Sequence, residues 1–128
     1  MTRRPLQEWA ILAIAGITGV TGMVQMVAPG WVLHGLGAER TPTSAHFFAI
    51  VGMFMVVIGG AVLHALAGRM RVPVVLLWGS LQKFGAAAAV GLGVANRLFS
   101  DLALLVAGFD LASGVVMVDY WRRIRKPA

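Results

Sequence analysis

The sequence predicts an all-α integral membrane protein, a four-helix antiparallel bundle with both termini on the cytoplasmic side. Three observations lead there. Of 128 residues, 59% are hydrophobic and only 12% charged, and the mean hydropathy of +0.81 lies outside the soluble range. Four apolar runs, at about residues 9–28, 45–67, 74–95 and 102–121, are each long enough to cross a hydrocarbon layer of roughly 30 Å. The basic residues gather at one set of run ends. Water is therefore not the main solvent of this chain, and 1–128 reads as a single transmembrane domain.

The first run follows Arg3 and Arg4 and stops at Pro29-Gly30. It reads as a span and not as a cleaved signal peptide, because it is longer than an ordinary signal core and no small-x-small cleavage site precedes Pro29. Gly35, Gly37 and the Thr41-Pro42-Thr43-Ser44 stretch separate it from the second run, where Ser44 or Thr43 is the expected N-cap. Gly68 and Pro73 introduce the third run, which ends at Asn96. Ser100 or Asp101 is the expected N-cap of the fourth. Only helices satisfy the backbone inside hydrocarbon, and connections this short make antiparallel hairpins of them.

Orientation follows from the basic residues. Arg3, Arg4, Arg69, Arg71, Arg122, Arg123, Arg125 and Lys126 fall on one side, against Arg40 and Arg97 on the other, so the positive-inside rule puts both termini in the cytoplasm. Trp9, Tyr120 and Trp121 then fall at the inner interface and Trp31 at the outer one, where amphipathic rings settle. The implied location is a bacterial inner membrane, with lipid as the surrounding partner. A net charge of +6 could suggest nucleic acid. The charges sit at helix ends instead of on an aromatic-studded face, so no nucleic-acid partner is expected.

Helices in lipid find each other through small residues that permit close backbone approach. Four such stripes are predicted to point inward: Thr18, Thr21, Gly22 and Gln25; Ala49, Gly52 and Gly59; Gly79, Lys83, Ala87 and Gly91; Ala103, Ala107, Asp110 and Gly114.

Two of these residues are ionisable and mid-span. Lys83 lies nine residues, about 14 Å, past Val74, and Asp110 lies eleven residues, about 16 Å, before Trp121. In antiparallel neighbours they reach the same depth. A lone charge there costs about 2.5–3.5 kcal/mol on insertion scales, so an interhelical ion pair or hydrogen bond is expected. Gln82, Thr18, Thr21 and Ser113 are close enough in depth to complete a polar pocket, with Gln25 nearer the outer side. The pair reads first as a structural lock fixing helix register, next as a site that binds a ligand's polar groups or moves protons, and last as two unrelated or lipid-facing groups.

Other chemistry is thin. With no cysteine, disulfides, thiolate metal sites and cysteine nucleophiles are excluded. His46 and His64, 18 residues or about 27 Å apart on one helix, cannot ligate one iron, and no metal site is expected. The seven methionines read as core filler and not as copper ligands. No phosphate loop, HExxH or GxSxG motif is present, against classical hydrolase or kinase activity.

The segments GMFMVVIGGAVLHAL, LLWGSLQKFGAAAAVG and AGFDLASGVVMVDYWRR resemble the DoxX-like group of small bacterial membrane proteins over nearly the whole chain. The resemblance is strongest around Gln82-Lys83 and Asp110-Leu111. It implies a four-helix membrane component of the kind found in redox systems, including a thiosulfate-to-quinone oxidoreductase subunit. No residues here would carry a thiosulfate or flavin site.

The leading expectation is a non-enzymatic or accessory membrane component that binds a quinone or lipid beside Lys83 and Asp110, with no other cofactor. Its assembly would involve a membrane-protein partner or further copies of itself. The alternatives are an enzyme acting on a lipid-soluble substrate, with Asp110 as general acid or base, and an oligomeric proton-coupled transporter.

Overall fold

The structure, a computed structural model, describes residues 3–126. Among them are five helices and no strand: α1 Leu6–Val27, α2 Pro29–Gly35, α3 Pro42–Ala67, α4 Pro73–Ala95 and α5 Ala103–Ile124. All but α2 are long and apolar enough to cross a membrane. They turn large apolar side chains outward, Val20, Phe54, Trp78 and Leu105 among them. Such a surface suits acyl chains better than water.

The boundaries differ from the expected spans where local chemistry extends them. Proline begins three helices because its missing N–H is one of the donors a helix start leaves unpaired. Pro29 thus opens the short α2 where only a chain break was expected. The N-cap of α3 is Thr41 and not Ser44 or Thr43. Ser44 N–H donates to Thr41 Oγ1 at 3.0 Å and Thr41 N–H donates to Ser44 Oγ at 2.9 Å, a reciprocal capping box around Pro42. At α5 neither Ser100 nor Asp101 is the cap residue; Leu102 is, with no side-chain cap. Backbone bonds replace it, from Ala103 N–H to the Ser100 carbonyl and from Leu104 N–H to the Asp101 carbonyl, each 3.0 Å.

Packing runs mainly within two pairs, α1 with α3 and α4 with α5. In the first pair the backbones nearly touch. A Cβ on Gly22 would lie 2.5 Å from the Gly52 carbonyl oxygen, and one on Gly52 would lie 2.6 Å from that of Gly22. Of the four expected stripes, Thr18, Gly22, Gln25, Gly52, Gly59, Gly79, Lys83, Ala103, Asp110 and Gly114 are buried. Ala49, Ala87, Gly91 and Ala107 are half-buried, and a Cβ at Gly91 would meet nothing within 4 Å. Thr21 is exposed, because it borders a cavity instead of a helix.

The two pairs close on each other at one end, through Ile11, Val62, Leu76 and Met117, all at most 3% exposed. Polar clamps reinforce this Tyr120 end. Arg4 donates to the carbonyls of Leu66 (2.6 Å) and Ala67 (3.0 Å) at the C-terminal end of α3, where Leu66 also accepts from Arg69 N–H. Gln7 Nε2 donates to Asp119 Oδ2 at 2.8 Å. Arg71 donates twice to the Ile124 carbonyl, at 2.7 and 3.1 Å. The opposite, Phe99 end is joined more sparsely, by a 2.8 Å bond from Ser100 N–H to the Leu36 carbonyl.

Candidate ligand cavity beside a buried ion pair

Lys83 and Asp110 meet across the α4–α5 seam. Lys83 Nζ donates to Asp110 Oδ1 at 3.0 Å, with side-chain exposures of 4% and 10%. The pair anticipated from depth alone therefore exists. Pairing offsets much of the cost of placing each charge away from water. A second contact reaches the other helix pair, where Nζ donates to Thr18 Oγ1 of α1 at 2.6 Å. The ammonium also lies 5.3 Å from the centroid of the Phe109 ring, close enough for a cation–π contribution. One lysine thus ties α4 to α5 and α5's aromatic face, and joins both to α1.

The pair stands at the boundary between packed and open halves of the bundle. On its Tyr120 side the space is a void of about 10 Å³ among Ala15, Gly59, Val62, Gly79 and Met117, marginal even for one water. On its Phe99 side a cavity of about 390 Å³ opens between the helix pairs. Phe48, Val51 and Met55 of α3, Val90 of α4 and Phe99 and Val106 near α5 give it apolar walls. A neighbouring groove of about 410 Å³, between α2 and the start of α5, shares Val32, Leu36, Leu105 and Val106 with it.

The polar residues are concentrated. Thr18, Thr21 and Gln25 line the cavity from α1, Gln82 and Lys83 from α4 and Asp110 from α5. Spacings of three and four residues put the α1 trio on one helix face, over about 10 Å. Ser113 is buried one turn from Asp110 on α5 and is not among the lining residues. The carboxamide oxygens of Gln25 and Gln82 are buried without a hydrogen-bond partner among the described residues. Such groups cost free energy unless water or a ligand satisfies the carboxamide. Comparison with known proteins finds no matching family model, no similar curated protein and no similar solved structure.

Sequence reasoning found the charged pair and its polar neighbours because they interrupt apolar runs. It missed Phe109 as the ring under the ammonium, since an aromatic residue in a membrane helix is unremarkable by type. It also missed the cavity. Nothing in the walls distinguishes residues that touch a neighbour from residues that stand back from one.

Proposed function

We propose that this chain is a membrane component that holds a lipid-soluble small molecule, a quinone or a lipid, with its polar part against Lys83 and Asp110. The observation that carries the reading is the cavity of about 390 Å³ with one polar wall and otherwise apolar lining. Ligand sites typically occupy roughly 300–1,000 Å³, lined by apolar groups with a few convergent polar ones. The adjoining α2–α5 groove offers a course for an apolar tail.

On the same reading the long helices form an antiparallel bundle in a bacterial inner membrane, with both termini cytoplasmic. The clustering of Arg4, Arg69, Arg71, Arg122 and Arg123 near the Tyr120 end supports that orientation. Membership of the DoxX-like group is part of the proposal and rests on the resemblance of the three segments given above.

The test is mass spectrometry of detergent-free nanodisc preparations. A quinone or neutral lipid enriched over the bulk membrane and retained at near one per chain is expected. Ala86 lines the cavity, and Ala86→Phe should remove the bound molecule while the folded fraction holds. An identical lipid profile for wild type and Ala86→Phe would overturn the reading.

A further inference from the structure

We infer that the cavity selects an uncharged ligand with an oxygen acceptor, and rejects anionic amphiphiles such as fatty acids despite the lysine in its wall. This deepens the proposed function and rests on the cavity being a ligand site.

Selectivity is decided by the charge and hydrogen bonds at one atom, Lys83 Nζ. A protonated lysine has three N–H donors. Thr18 Oγ1 takes one at 2.6 Å and Asp110 Oδ1 another at 3.0 Å, which leaves one for a ligand. The ammonium's charge is already matched by Asp110, so Lys83 and Asp110 together present a neutral dipole. Among the described residues no other Lys, Arg, Asp or Glu lines the cavity. Its walls are apolar side chains, two threonines and two glutamines, which supply dipoles but no counter-charge.

A carboxylate head entering this space would share one lysine with Asp110 and leave the site with a net negative charge in a hydrocarbon environment. The penalty for one unmatched charge at that depth corresponds to a loss of affinity on the order of a hundredfold. A cationic head would suffer likewise, since Asp110 is already engaged. A carbonyl or hydroxyl oxygen carries no such penalty. It accepts a hydrogen bond from the remaining ammonium N–H, and Gln25 and Gln82 can hydrogen-bond a second polar group.

The experiment compares chain-matched probes on wild-type protein in phosphatidylcholine nanodiscs by native mass spectrometry and titration calorimetry. The probes are a decyl-benzoquinone, monodecanoyl glycerol, decanoate and decyltrimethylammonium. The expected ranking places one or both neutral probes at least tenfold ahead of the two ions, and which neutral probe leads separates a quinone from a neutral lipid. Asp110→Asn uncovers the lysine charge and should raise decanoate affinity at least tenfold relative to the quinone. Decanoate binding wild type as tightly as the neutral probes would overturn the inference and leave the cavity reading intact. Failure of all four probes to bind would overturn the cavity reading itself. The wild-type ranking needs no variant, so misfolding of Asp110→Asn would not spare the inference.

Discussion

The two ends of this bundle solve the same problem differently. At the Tyr120 end, Ile11, Val62, Leu76 and Met117 fill the axis, and Arg4, Gln7 and Arg71 lace the helix ends together. At the Phe99 end the helix pairs stand apart around about 390 Å³, with one backbone bond between Ser100 and Leu36 bridging the connections. In lipid, apolar side chains gain nothing from leaving water, so closure must come from close contact and polar ties. Where both are supplied the bundle shuts; where they thin out a space remains. Lys83 and Asp110 sit at the join, which lets a structural contact double as the polar wall of a cavity.

That division can be broken most sharply at the join. Asp110→Ala removes one partner of a buried pair and leaves the ammonium uncompensated. It is expected to cost about 3–5 kcal/mol, as for other buried pairs broken on one side. Replacing both, in Lys83→Met with Asp110→Leu, should return stability to within about 1 kcal/mol of wild type while abolishing ligand binding. Equilibrium unfolding in mixed micelles measures both. If Asp110→Ala were as stable as wild type, the ion pair would not be holding α4 to α5 at the join.

The second test asks whether the opening lies between helix pairs or inside them. Gly52 belongs to the open half, yet its Cβ position is 2.6 Å from the Gly22 carbonyl oxygen. Backbone cannot yield as a flexible side chain can. Gly52→Ala should therefore cost about 3 kcal/mol, the upper part of the overpacking range. Gly91, also in the open half, has nothing within 4 Å, and Gly91→Ala should stabilise α4 by about 0.5 kcal/mol through helix propensity. Similar costs at both glycines would mean that the α1–α3 seam is looser than its geometry.

These contrasts also mark what the sequence discloses. The four long helices were legible because apolar runs of about 20 residues between turn residues have one solution in lipid. The Lys83–Asp110 contact was legible because two charges at one depth can be sheltered by pairing. Gly52 and Gly91 were not separable, because a glycine reads the same whether a carbonyl or empty space lies beside it. The same ambiguity hid Thr21, which has the spacing of a packing residue but borders the cavity. Cap positions were displaced for a local reason, since Pro42 moved the start of α3 back to Thr41. Spacing along a helix fixes direction around its axis; it does not fix the distance to the next helix, and a cavity is a matter of that distance.

The smallest of the expected effects addresses that distance directly. Leu76 is 1% exposed within the closed end, whereas Val106, at 43%, lines the cavity. Truncating Leu76 to Ala strips packed contacts and leaves a hole. The cost should be about 2 kcal/mol, at the low end for buried leucines because lipid makes no demand that the side chain avoid water. Val106→Ala removes atoms that already face open space, so it should cost under about 0.5 kcal/mol. Its effect should fall instead on the retained ligand, which loses wall contact and dissociates faster. Unfolding titrations and ligand retention measured on the same two preparations would therefore move in opposite order. If Val106→Ala destabilised the protein as much as Leu76→Ala, the helix pairs would have to close on each other at the Phe99 end as they do at the other. The polar wall of Thr18, Gln82 and Lys83 would then be the inside of a core and no longer the side of a binding site.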